Sequence, residues 1–392
     1  MNNMRFTFIT VFILGLFSCA EKSGEEIPAA FREVHTYQLN LDRFTSPVED
    51  YYQYVKNWKG QEAYAFHVMG KEEIKLYNLE DGALIETLAY GDNQPNLQSG
   101  VYDFHILNED SIFLSRRRAY KVYLINQEFD IVKTMDFMGG NDEIDPNTGW
   151  PNSKDTFLPV WSRNRCFRKI GDKIFIAGAP NFDARFPEGT YTKTMLNSYS
   201  LRTDEISNLL GYPEKMQGKA WGGFDMVFSD YNPEEDLFVH GYAADERVYI
   251  TDRAMNQIHD FEAFPKGYKN VPPLTVKEVE SNDAYSSHWQ DNDLFGSIHW
   301  DPYRKLIYRI MEEPNVNYNK DMLRDPLERA RNMVVMAFDT KQDYRKVAEM
   351  RLKKSEKGVY LDRCFVNEKG FNITYVDLEN EDKLYFKTFL VE

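Results

Sequence analysis

From residue 31 to Glu392 the chain alternates apolar and polar side chains in short runs separated by Asn, Asp, Gly and Pro. Period-two alternation of Tyr, Phe, Val and Ile between such turn residues is the signal of half-buried strands. The runs recur as a unit of four. One unit comprises 101–106, a turn at Asn108, Glu109 and Asp110, then 111–115, 121–125, a turn at 126–130, and 131–135. Another comprises 224–228, a turn at 232–236, then 237–240, 247–251, a turn at 252–256, and 257–261. Similar sets begin at Tyr51, Arg165, Phe295 and Leu361, which makes six in all. Asn232-Pro233 before Leu237 parallels Asp301-Pro302 before Leu306, and Asn78, Asn126, Asp252 and Asp339 each close a third run.

Six four-stranded antiparallel units in series predict an all-β fold, a six-bladed β-propeller whose radial repetition leaves only short edges. The final unit holds three runs, 361–366, 371–376 and 383–390, while residues 34–41 form a lone run ahead of the first unit. Pairing the two would close the ring with the N-terminal strand as the outer strand of the last blade and cover an open edge. Two separate sandwiches share the same alternation and turn spacing.

Residues 1–18 fall outside this pattern: Arg5 precedes an apolar run over 6–17, the length of a secretory h-region and too short to span a bilayer. Leu16-Phe17-Ser18-Cys19 resembles the lipobox of bacterial lipoproteins, which implies cleavage before Cys19 and its acylation. The expected domains are a signal peptide over 1–18, a lipid-anchored acidic tether over 19–30, and a propeller over 31–392. Two or more acyl chains, at about 0.8 kcal/mol per buried CH₂, would hold the protein on a membrane. Lipobox, acidic tether, lone strand and repeated turns together resemble the TolB-like six-bladed propeller lipoproteins of the Bacteroidota. That resemblance implies an outer-membrane lipoprotein, on the cell surface or the periplasmic face, that binds or scaffolds.

Charge narrows the partners. With 62 acidic and 47 basic side chains the chain carries a net −15, which repels phosphate backbones and argues against nucleic acid. Beyond Cys19 only Cys166 and Cys364 remain, and as members of opposed blades they should be free, buried thiols.

Four long connections, 140–164, 178–193, 265–294 and 312–332, run either between blades or from second to third strands, so all open on one face. Long loops converging on one side of a compact domain are usually functional. They and their neighbours carry Trp150, Trp161, Trp221 and Trp289, with Arg163, Arg165, Lys219 and His288 close by. A tryptophan there can stack on a sugar or grip a peptide, or it can anchor its own loop. Arg116, Arg117 and Arg118 fall on the same face and read as solvated. A second set, Asp103, His105, Arg165, Arg168, Asp225, His299, Asp362 and Arg363, is expected on inner strands near the channel, facing water or a ligand.

No G-x-G-x-x-G, P-loop, H-E-x-x-H, C-x-x-C or G-x-S-x-G is present. Residues 145–149 read as a Pro/Asn turn rather than a calcium loop, and 281–283 followed by Trp289 match an Asp-box only loosely. No catalytic residue, metal or cofactor is therefore expected. The expected function is a lipid-anchored envelope binding or scaffold propeller engaging a peptide, glycan or envelope protein. The alternative is a glycan-active hydrolase or lyase with its site at the channel mouth.

Overall fold

The structure, a computed structural model, describes residues 29–392 apart from 69, 94–100, 117–119, 139–156, 162–163, 181–194, 320–321, 323–324 and 381. Its strands form six antiparallel sheets. Blade 1 consists of β2 (Tyr52–Trp58), β3 (Gln61–Val68), β4 (Glu73–Asn78) and β5 (Leu84–Ala89). Blade 2 consists of β6 (Val101–Asn108), β7 (Ser111–Arg116), β8 (Lys121–Ile125) and β9 (Ile131–Asp136). Blade 4 is built from β15 (Val227–Asn232), β16 (Leu237–Tyr242), β17 (Arg247–Thr251) and β18 (Gln257–Glu262). Blade 5 is built from β19 (Leu294–Asp301), β20 (Leu306–Glu312), β21 (Met333–Asp339) and β22 (Arg345–Leu352).

Blade 6 joins β23 (Gly358–Asn367), β24 (Gly370–Asp377) and β25 (Lys383–Val391) to the N-terminal β1 (Phe31–Asn40). The closing pair is antiparallel from Phe31 opposite Val391 to Asn40 opposite Lys383, and Ala30 N–H donates to the Glu392 carbonyl at 2.7 Å. The ring is therefore sealed by main-chain bonds between the two ends of the domain, as the lone run before the first unit predicted.

The repeated turn residues have one job. Asn78, Asn126, Asp252 and Asp339 each accept, through Oδ1, an N–H two to four residues onward in the loop between third and fourth strands. A bulge interrupts the pairing beside each of these turns. Asn232, Asp301 and Asn367 do the same at the end of an inner strand. A short side chain that replaces a backbone partner lets the chain reverse without an orphaned donor.

Blade 3 departs from the regular pattern. Its inner position is shared by β10 (Phe157–Pro159) and β11 (Phe167–Ile170), which pair with opposite ends of the long β12 (Lys173–Pro180); β13 (Leu196–Ser200) and β14 (Ile206–Leu210) complete it. Part of the connection expected as a 140–164 loop is thus a strand. Arg165 and Cys166 lie just before β11, and Asp225 lies just before β15, rather than within inner strands. Cys166 and Cys364 are free and buried in separate clusters.

Candidate functional site

The channel has a cavity at each end. The upper cavity, about 520 Å³, lies where inner strands begin, on the face of the long connections. Its wall is built by four connections. Asp50 comes from the approach to blade 1, and Gly223 and Asp225 from the approach to blade 4. Tyr285, Trp289 and Gln290 come from the helix Asn282–Asp291 inside the 265–294 connection, and Tyr318 and Arg329 to Arg331 from the 312–332 connection.

That helix is written into the sequence at its start. Thr275 accepts from the Glu278 N–H while the Glu278 side chain accepts from the Thr275 N–H, a capping box on the turn Val276–Val279. Ser281 Oγ accepts from the Ala284 N–H to start the helix proper. The Ser281 to Asp283 segment is therefore a helix cap, and the Asp-box likeness does not hold. The two paired cap signals, T-x-x-E and then Ser six residues later, could have located the helix.

Two glycines set the cavity shape. A Cβ on Gly223 would stand 2.6 Å from the Trp289 ring, so glycine lets the indole lie against the backbone. A Cβ on Gly296 would stand 2.2 Å from Asp362 Oδ2, so glycine makes room for that carboxyl. Arg331, buried below the rim, donates Nε to the Glu313 carbonyl at 2.6 Å, Nη1 to that of Trp289 at 3.2 Å, and Nη2 to that of Asn292. It ties the helix to the second long loop. Four carboxyl groups, Asp50, Asp225, Glu312 and Asp362, line the cavity beside four guanidiniums, Arg165, Arg329, Arg331 and Arg363. Gln290, 3% exposed, has a buried Oε1 with no partner, and so does the Tyr318 hydroxyl.

At mid-channel Asp362 accepts from the Ser297 N–H at 2.7 Å and from the Ser297 hydroxyl, which also meets His299 Nε2 at 2.9 Å. Burial, above all, pushes the Asp362 carboxyl up to about 6, and the hydrogen bonds from Ser297 oppose the shift. His299, Asp362 and Cys364 each offer a ligand atom within 4.8 Å of the others. Burial raises the Cys364 thiol well above its usual range, so an ion there would first have to displace that proton.

The lower cavity, about 340 Å³, sits where inner strands end in their tight turns and is lined by Lys56, His105, Arg165, Arg168, Asp230, His299, Trp300 and Tyr303 among others. Tyr52 and Arg165 line both cavities.

The expected site residues therefore separate. Trp289, Asp225 and Arg165 reach the upper cavity, and His105, His299, Trp161 and Arg165 the lower. Trp221 and His288 are buried loop anchors: the Trp221 indole donates to the Met216 carbonyl at 2.8 Å, and His288 Nε2 meets the Pro272 carbonyl at 2.7 Å. Trp161, 6% exposed, donates its indole N–H to the Phe104 carbonyl, and buried Asp103 accepts from the Trp161 N–H at 3.2 Å. Trp150, Arg163 and Cys19, with residues 145–149, Arg117 and Arg118, lie outside the described residues. Pattern reasoning missed Gln290, in the helix whose cap signals went unread, and Tyr318 and Arg331, in a connection whose path no periodicity reports.

A closed ring of six four-stranded blades around a channel with a cavity at either mouth is a six-bladed β-propeller. Residues 29–349 match the family described as "Domain of unknown function (DUF4221)", and the chain belongs to it. It is similar to the crystal structure of a member of that family from Bacteroides vulgatus, with TM-score 0.76 and 18% identity over 93% of this chain and 99% of that one. It is also similar to a putative exported protein from Bacteroides fragilis, with TM-score 0.51 and 9% identity over 92% and 95% of the two chains. At these identities the likeness concerns the fold. No curated protein matches the sequence.

Proposed function

We propose that the protein is a lipid-anchored binding propeller of the cell envelope that takes a glycan or peptide segment in its upper cavity. The observation that carries this reading is the convergence of four connections on a cavity with the Trp289 face, acids and guanidiniums in equal number, and two unsatisfied polar atoms. An unpaired buried amide oxygen costs on the order of 1–3 kcal/mol, which a ligand N–H or O–H would recover. Aromatic faces beside hydrogen-bonding groups of both signs suit sugars and peptide backbones alike. The envelope location rests on the lipobox ending at Cys19 and accords with the exported description of the Bacteroides fragilis structure.

Binding is tested by screening glycan and peptide arrays with the intact protein and with Trp289→Ala. Affinity for the captured ligand should fall about ten-fold or more while the melting temperature stays within a few degrees. Equal affinity in the variant would remove the upper cavity from the reading. The anchor is tested by Cys19→Ala, which should leave the membrane fraction.

A glycan hydrolase or lyase is the second reading, favoured by one observation. Asp362, raised to about 6, has the acidity of a general acid and shares its cavity with other carboxyl groups. Glycan cleavage by the wild type that Asp362→Asn abolishes would establish it.

A further inference from the structure

The two cavities differ in charge. In the upper one four carboxyl groups face four guanidiniums. In the lower one Lys56 and Arg168 face a single carboxylate, Asp230, in a chain of net −15, and Arg165 is shared with the upper cavity. That carboxylate is already occupied. Asp230 Oδ1 accepts from Arg168 Nη2 at 2.5 Å and from the Tyr231 N–H at 2.8 Å, and Oδ2 accepts from the Trp300 N–H at 2.9 Å. Of the acids near Lys56, Glu62 accepts the Tyr54 hydroxyl, and neither it nor Glu368 lines the cavity.

Lys56 Nζ donates to the Tyr303 hydroxyl at 3.0 Å at the mouth, where it remains open to solvent. Trp300, 6% exposed, lines the cavity and packs into the apolar core of blades 4 and 5. Both histidines of the wall are neutral: burial first, with the Arg168 charge adding to it, holds His105 at about 3, and burial holds His299 at about 4. The Arg168 charge reaches both histidines, and at His299 the Asp230 carboxylate outweighs it while at His105 it does not.

We propose that the lower mouth is a second binding site, for a small oxyanion, a carboxylate or phosphate group held by Arg168 and Lys56. Arg168 donates Nη1 to the Phe167 carbonyl at 3.0 Å and Nη2 to Asp230, and with its side chain 42% exposed its remaining N–H groups can meet a ligand. A guanidinium binds such groups through charge-assisted, often paired hydrogen bonds. The lower site shares Tyr52 and Arg165 with the upper cavity but not Trp289, which is absent from its wall.

The test is titration calorimetry on the whole chain with inorganic phosphate and with succinate, each at fixed ionic strength against chloride. Saturable binding of either anion is expected, and which one binds identifies the source. Arg168→Gln should weaken it about ten-fold or more, Arg168→Lys less, and Lys56→Gln several-fold, while Trp289→Ala leaves it unchanged. Lys56→Gln keeps the test decisive if Arg168→Gln does not fold, since Lys56 makes no buried contact. Absence of saturable binding by both anions would overturn the proposal. So would binding that neither Lys56→Gln nor a folded Arg168→Gln alters.

Discussion

Two buried arginines, one in the ring and one under the rim, are held by the same chemistry to different ends. Arg309, fully buried in β20, donates Nη1 to the carbonyls of Glu246 and Ala263 and Nη2 to those of Tyr242 and Asp245, and lies 3.8 Å over the Phe295 ring. Its four carbonyls all belong to blade 4 or its exit, so the side chain pins blade 5 to blade 4. Burial pushes its acidity to about 10, still well above neutrality, so the charge stays. Arg331 uses three carbonyls to hold an inserted helix and loop to each other. Comparing them shows which bonds make the propeller and which furnish it: the ring would persist without the helix, but the helix has no place without the ring.

The largest expected effect follows from Arg309. Arg309→Ala strands four carbonyls and opens the seam, so unfolding free energy should drop by about 3–5 kcal/mol. A loss under about 1 kcal/mol in urea denaturation would show that the seam is carried by apolar packing instead.

A second effect belongs to the ring alone and depends on pH. Burial holds His105 and His240 at about 3 and His299 at about 4, below the ordinary 6.5. His240 bridges Ser229 at 2.7 Å and Thr251 at 2.9 Å as a neutral ring. Depressed histidines stabilise the fold above about pH 6.5 and lose that contribution as pH falls. Asp362, raised to about 6, works in reverse: its protonated form favours the fold, and that contribution is lost as pH rises toward 6. At about 1.4 kcal/mol per proton per pH unit, three histidines against one carboxyl leave a net loss of about 3 kcal/mol per unit between pH 6 and 5. Urea midpoints at the two pH values measure it, and a flat profile would mean the histidines are already charged in the fold.

The smallest global effect should come from Arg331→Ala. Amides of the helix Asn282–Asp291 should exchange about ten-fold faster or more while those of β20 and β21 keep their protection. Equal acceleration in both would place Arg331 with Arg309 as part of the ring.

The same division explains what was legible in advance. Strand alternation and the Asn and Asp turns recur along the chain, so the ring and its closure by the N-terminal strand could be read from pattern, while most of the 140–164 and 178–193 connections lie outside the described residues. Each insertion occurs once. Nothing in Trp221 or His288 distinguishes a side chain bonded to its own loop from one facing a cavity, and only the path of the chain separates them from Trp289. The split inner position of blade 3 was hidden for a related reason, since a three-residue strand such as Phe157–Pro159 is shorter than any period can reveal.

The closing pair also orients the molecule. As the fourth strand of its blade, β1 runs toward the upper face, so Phe31 and the chain end near Val391 lie together on the lower face. With a lipid on Cys19, a leash of twelve residues leads from the bilayer to Phe31 and reaches at most about 40 Å when taut. Under the proposed anchor the lower mouth, on the side of Phe31, would be the one nearer the bilayer and the loop-built cavity the one farther from it.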